Sequence, residues 1–400
     1  MEALINKETL NKICEAKGVS IEYLSDKCKM DIQKIRKLLS LEDDYLPAFG
    51  KAKIIASKLH IPFAGLYMNS EDLPLEQIKK YKIKNFRTII DANEDESAVN
   101  IAIYDLLQAK TALLQAQEEL SLSPIAYKDI IMPKGRDVKI WASKIRKIFN
   151  INLDYQYEMS STRKLYIYIR NRIEDKAIFV TSFTDVPVEV IRGVAIYDKE
   201  MPIIGINAKD RYPGMSFSLL HELTHILMRM SSMCNDMFSV YSNSNEEVFC
   251  NAVAGECLVP EDAISEYVRL RMKAITQEEI KKCAEYFSVS KEVITRRLLD
   301  CGIINDAQYQ QHIEEIEKQF ALEKEKEREE ARIARSIGMR TGFPKRQELA
   351  AVDRTSTAYC KVLYEGYCND IFSKQDLSRS LGIKQKYVGK FINEVSAWNS

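Results

Sequence analysis

His221, Glu222 and His225 stand together as H-E-x-x-H in the stretch MSFSLLHELTHILMRM, residues 215–230. On a helix the two imidazoles fall one turn apart on one face, where both can reach a single metal ion. Glu222 then lies beside the metal position, placed to take a proton from a bound water. The chain has only four histidines, at 60, 221, 225 and 312. From that composition a chance match is on the order of a few in a thousand. Leu219, Leu220, Leu223, Ile226, Leu227 and Met230 recur at steps of about three or four. That period predicts one apolar face packed inward and a polar face presenting the ligands.

Two histidines and a water leave tetrahedral zinc one protein ligand short. A metzincin would supply a third histidine six residues after the second, but Ser231 stands there, and Met228 where its glycine would be. His60 lies in a separate N-terminal segment and His312 borders a charged run, so a carboxylate from a second helix is expected. The stretch SNSNEEVFCNAVAGECLVP offers Glu247, with Glu246 and Glu256 as alternatives. Asn251 follows Glu247 by four residues and is a candidate to hydrogen-bond a ligand ring from behind. Ser244 and Glu247 also have the spacing of a helix capping box, which needs no metal.

The two stretches RYPGMSFSLLHELTHILM and EEVFCNAVAGECLVP together resemble the ImmA/IrrE family of zinc metallopeptidases. That family pairs an F-x-x-x-H-E-x-x-H helix with E-x-x-A-N-x-F-A-x-x-L-x-x-P, which Phe217, His221, Glu222, His225, Glu247, Asn251, Ala254, Leu258 and Pro260 match. Thr224, Cys250 and Val253 depart from the pattern, all as small or apolar exchanges away from the ligand positions. The resemblance implies Zn2+ held by His221, His225 and Glu247, and a helix-turn-helix repressor as substrate whose cleavage switches genes on.

Around this centre the 400 residues call for two to four domains. Hydrophobic residues make up 46%, and Lys plus Arg equals Asp plus Glu at 58 each, so no global field draws the chain to nucleic acid or membrane. No apolar run approaches a membrane span and no signal pattern opens the chain, so a soluble, cytoplasmic protein is expected. Nine scattered cysteines without a C-x-x-C pair read as reduced. The expected fold class is α+β, a mainly helical multidomain chain with a small-sheet, zincin-like peptidase domain.

The expected order is a helix-turn-helix domain over 1–68, a helical connector over 69–135, the peptidase over 136–305, a charged helical spacer over 306–340 and a small helical domain over 341–400. GVSIEYLSDKCKMDIQKIRKLLS resembles the helix-turn-helix of Xre-type repressors. Asp31 to Ser40 is then the recognition helix, with Gln33, Lys34, Arg36 and Lys37 toward DNA or a protein partner. Residues 1–70 hold 11 basic against 9 acidic side chains, too balanced for strong unaided DNA binding. KNFRTII at 84–90 resembles a segment that joins such a domain to the peptidase in this family. A long helix is expected from Ser97 to Glu119 and an amphipathic one from Asp137 to Phe149. INLDYQY, KLYIYIR, AIFVTSF, GVAIYD and PIIGIN read as strands, the last two as a hairpin. ITQEEIKKCAEYFSVSKEVITRRLLD has a helix-turn-helix layout, taken as support for the catalytic domain. Tyr241 is a weak candidate for oxyanion stabilisation.

Two functions compete on this reading. One is a zinc endopeptidase that cuts an Xre-type repressor. The other is a DNA-binding regulator or toxin–antitoxin component in which the peptidase fold serves as a sensor or scaffold.

Overall fold

The computed structural model of the chain describes residues 1–69, 71, 93–122, 127–159, 161–234, 245–336 and 347–398. Tyr241, Ser244 and the 84–90 segment lie outside the described residues. A four-stranded mixed sheet stands at the centre, in the order β1-β3-β2-β4. Strands β1 (Phe179–Phe183) and β3 (Ile203–Asn207) run parallel, β2 (Gly193–Ile196) is antiparallel to β3, and β4 (Ser232–Cys234) is antiparallel to β2. The hairpin expected in GVAIYDKEMPIIGIN is the β2–β3 pair, with Ala195 opposite Ile204.

Alternation along the strands divides the interior in two. Phe179, Phe183, Val194, Ile196 and Ile203 face one apolar core, whereas Val180, Ala195, Ile204 and Ile206 face the other. The first core is covered by helix α5 (Asn93–Glu119), whose Leu106 fills the place where a side chain at Gly205 would sit. It continues into the N-terminal helices α1 (Lys7–Ala16), α2 (Ile21–Cys28), α3 (Ile32–Leu39) and α4 (Phe49–Lys58). At its other end it takes in the C-terminal helices α15 (Gln347–Arg354), α16 (Thr357–Cys368), α17 (Lys374–Ser380) and α18 (Val388–Ser396). The second core packs α6 (Val138–Ile148), α8 (Thr162–Glu174), α9 (Tyr212–Leu227), α10 (Asn245–Leu258), α11 (Glu261–Arg271), α12 (Gln277–Phe287) and α13 (Lys291–Asp300). The short helix α7 (Leu153–Tyr157) lies against α12, and the 31-residue α14 (Asp306–Ser336) leaves the core as a mostly exposed, charged rod.

Two expected strands are helices. KLYIYIR lies inside α8, where Leu165, Tyr166, Ile169 and Ile173 are buried at helical spacing. A strand would turn Tyr166 outward and Ile167 inward; in the structure Tyr166 is fully buried and Ile167 is part-exposed. Ser161 caps this helix by accepting from Lys164 N, so local capping and burial outweigh the β-branched composition. INLDYQY forms α7, capped by Asn152, and its buried Gln156 donates to the carbonyls of Leu258 and Phe287. The amphipathic picture of 215–230 also changes. Every residue from Gly214 to Leu227 is buried, because β2 and β3 cover one side of α9 while α8 and α10 cover others.

Polar contacts fasten both ends of the chain to this frame. Arg163 pairs with Asp353 through two nitrogens, and Tyr212 OH donates to the same carboxylate at 2.8 Å. Arg170, 1% exposed, donates to the carbonyls of Val352 and Asp353, so it closes the C-terminal end of α15. At the other end Ser20 N donates to Ser97 Oγ, and the buried Lys17 ammonium meets the Leu59 carbonyl and the Tyr104 ring. Burial pulls Lys17 down to about 8.

His60 closes this joint, with Nδ1 on Asp105 of α5 and Nε2 3.8 Å from Asp185 in the β1–β2 loop. The Asp105 hydrogen bond raises its pKa above the usual histidine value, against the opposing pull of burial and of Lys17. The stabilisation is therefore complete below the unfolded value of about 6.5 and is lost as pH rises through the raised folded value. His60 has a φ of 51°, which asparagine tolerates better than most residues. From pH 6 to 9 the melting temperature of the wild type should fall relative to that of His60→Asn, in thermal unfolding at matched ionic strength. Parallel curves would remove His60 from the joint.

Candidate metal centre

Local sequence shapes α9 first. Pro213 sits in its first turn, where no N–H partner is needed, and the chain leaves it through Arg229 at a φ of 59°. Met230 N returns to the His225 carbonyl, and the Arg229 guanidinium pairs with Asp129 at 3.1 Å. The exit thus ties down the turn that carries His225. The Phe217 ring lies nearly parallel to the His221 ring, with centroids 6.5 Å apart. Helix α10 crosses α9 and is backed by α6, where Trp141 meets Phe249 edge-on at 5.2 Å. Glu247 sits in the first turn of α10 and extends toward α9.

His221, His225 and Glu247 converge. His221 Nε2 and His225 Nε2 are 3.1 Å apart, while the carboxylate of Glu247 straddles them at 3.1 Å and 3.3 Å. Zinc bonds of about 2.0–2.1 Å at tetrahedral angles put neighbouring ligand atoms about 3.3 Å apart. The separation of the two nitrogens and the contact each makes with one oxygen of Glu247 are close to that value, so the cluster suits a single zinc ion. The two imidazoles are 0% and 1% exposed, whereas the Glu247 side chain is 15% exposed, so solvent reaches this cluster at the carboxylate.

The charge states suit a cation. Burial holds His225 below its ordinary pKa, which favours the neutral ring with a free lone pair. Burial by itself would raise Glu247, but hydrogen bonds from both imidazoles outweigh it and hold the carboxyl well below its usual range. A neutral imidazole and an ionised carboxylate are the forms in which these groups bind metal.

The competing carboxylates are engaged elsewhere. Glu246 pairs with Arg136 at 3.2 Å, and Glu256 is buried against Arg297 while its other oxygen accepts from Glu261 N. Asn251 stands one turn beyond Glu247, yet its Oδ1 and His225 Nδ1 are both buried without a hydrogen-bond partner. Glu222 is fully buried and lies against Gly193 of β2, a neighbour the sequence reading does not single out. The available signal was a glycine opening an apolar strand run, which often marks close approach of another group. Gln33, Lys34, Arg36 and Lys37 are all exposed on α3 and take no part in the cluster.

Glu247→Ala should strip most of the zinc from the purified protein at modest cost in stability. Glu256→Gln should keep zinc but lower stability by about 1–3 kcal/mol, because the buried Arg297 loses one of its two carboxylate partners and keeps Asp300 at 3.3 Å. Elemental analysis and denaturant unfolding of the two variants check the pair. Full zinc in Glu247→Ala would return the third-ligand position to another carboxylate.

No helix among the described residues is long and apolar enough to cross a membrane. A comparison with curated proteins finds no match. Residues 175–299, which span the sheet and helices α9 to α13, match the family model of the IrrE N-terminal-like domain, Peptidase_M78, a match that supports ImmA/IrrE kinship and a zincin-like metallopeptidase reading of this domain.

Proposed function

We propose that the chain is a zinc-dependent endopeptidase of the cytoplasm that cleaves an Xre-type helix-turn-helix repressor and so induces gene expression. The observation that carries this reading is the triangle of His221, His225 and Glu247, with Glu222 on the turn between the two histidines. Bound there, zinc would polarise the scissile carbonyl and bring the pKa of a water toward about 7.

The chain's own groups do the rest. Glu222 accepts a proton from the attacking water and delivers it to the leaving amine. The burial of α9 strengthens the charge interactions of its side chains, while water enters the cluster at the Glu247 carboxylate. Strand β4, an edge of the described sheet, follows directly on α9 and offers its outer side to an extended substrate backbone. The cysteines at 14, 28, 257, 283, 301, 360 and 368 form no disulfide among the described residues, which suits a reducing compartment.

Selection of the repressor falls to the N-terminal helices, by pairing with a like fold or by sharing its operator. Lys34, Arg36 and Lys37 project from α3 into solvent and are the residues to alter. Deletion of the unit is a poor test, because α1 to α4 share a core with α5 and their removal would bare it.

A DNA-binding regulator with a sensor or scaffold domain is the second reading, favoured by that exposed basic face. A scaffold has no use for a base. Glu222→Gln should retain zinc while cleavage of the repressor falls by about 10²–10⁴-fold. The same variant, used as a trap, should retain the substrate for identification by mass spectrometry. Near wild-type cleavage by Glu222→Gln contradicts the mechanism. Charge reversal at Lys34, Arg36 and Lys37 should lower repressor cleavage in a manner dependent on operator DNA and salt only if the operator is shared.

A further inference from the structure

Gly193 lies at the first position of β2, paired across to Ile206 of β3 on one side and Cys234 of β4 on the other. A glycine inside a sheet weakens it, and here the backbone does not ask for one, since its φ lies outside the left-handed range. Along β2, Val194 and Ile196 point to the α5 core, so Gly193 and Ala195 point to α9. A Cβ at 193 would stand 2.6 Å from Glu222 Oε1, 2.8 Å from its Cγ and 3.1 Å from its Cδ. These are its three nearest neighbours, and all belong to one side chain.

The neighbours cannot yield by other means. Strand β2 is held on both edges, and α9 is buried along its length from Gly214 to Leu227. A methyl group at 193 must therefore turn the Glu222 carboxylate out of its place.

We propose that Gly193 is a positioning residue, its missing side chain forming the slot that holds the Glu222 carboxylate beside the two histidines. The proposal rests on the reading of Glu222 as the base that exchanges a proton with the attacking water. Gly193 itself touches neither substrate nor metal. The slot explains why a strand with apolar residues at 194, 195 and 196 begins with a residue that buries nothing.

A thermal cycle on the full-length, metal-free chain tests the slot without any substrate. Gly193→Ala should lower the melting temperature by about 2–6 °C. In a Glu222→Ala background the same substitution should cost nothing, because the atoms it meets are gone. A loss of equal size in both backgrounds assigns Gly193 to the sheet alone and overturns the proposal. If Gly193→Ala does not fold, the double variant decides: folding supports the slot, and failure to fold overturns it. Cobalt(II) supplies the second readout. Gly193→Ala should bind one cobalt per chain, with a visible spectrum displaced from the wild type toward that of Glu222→Ala. An unchanged spectrum contradicts a positioning role. A wild type that takes up no cobalt sinks the metallopeptidase reading, while the thermal cycle still decides the slot.

Discussion

Three polar side chains meet in the interior, and the fold bears the cost of keeping them there. His221 and His225 are almost wholly buried, and Glu247 comes to them as an anion from another helix. Taking such groups out of water costs several kcal/mol per ion unless partners replace the lost hydration. The mutual contacts at 3.1–3.3 Å supply part of the compensation, and a cation seated against all three donors would supply the remainder. That arrangement needs two helices held in fixed register, one carrying both rings and one carrying the carboxylate. The remainder of the molecule can be understood as the means of holding them.

The register is kept by packing on every side of α9. The sheet presses on it from β2 and β3, α10 lies across it, and α8 flanks it. Tyr212, its first residue, is bound to Asp353 in the C-terminal helices, so the far end of the chain helps fix the ligand helix. On the opposite face of the sheet, α5 joins the N-terminal helices, the strands and the C-terminal helices in one apolar core. Segments that the sequence divides into separate units are thereby tied to the same sheet. This continuity gives the N-terminal helices a fixed place relative to the metal cluster, through the contacts of Ser20, Lys17 and His60 with Ser97, Tyr104 and Asp105 of α5.

How much of this could be read beforehand depends on the range over which each feature is specified. His221, Glu222 and His225 are set by helical spacing alone and are legible in five residues. Glu247 lies in another helix, so spacing could prefer it to Glu246 and Glu256 without excluding them. Its spacing to Asn251 favoured it and the resemblance agreed, while the structure shows the other two engaged with Arg136 and Arg297. The β2–β3 hairpin was legible because its turn and its alternation agree. KLYIYIR was misread because Leu165, Ile167 and Ile169 also alternate, and a helix buries Tyr166 where a strand would expose it. The full burial of α9 was not legible, since the layers on its polar side come from distant parts of the chain. Gly193 is the extreme case: its importance lies in a side chain it lacks, and only its position beneath Glu222 reveals it.

X-ray absorption at the zinc edge of the loaded full-length chain tests the central claim most directly. The account predicts one zinc per chain with a first shell of nitrogen and oxygen only, at about 2.0–2.1 Å, including two imidazoles. Cys250 on α10 supplies the telling contrast, since it lies buried near Met228 within one turn of Glu247. A sulfur scatterer at about 2.3 Å, or a single imidazole, would contradict the His221–His225–Glu247 centre.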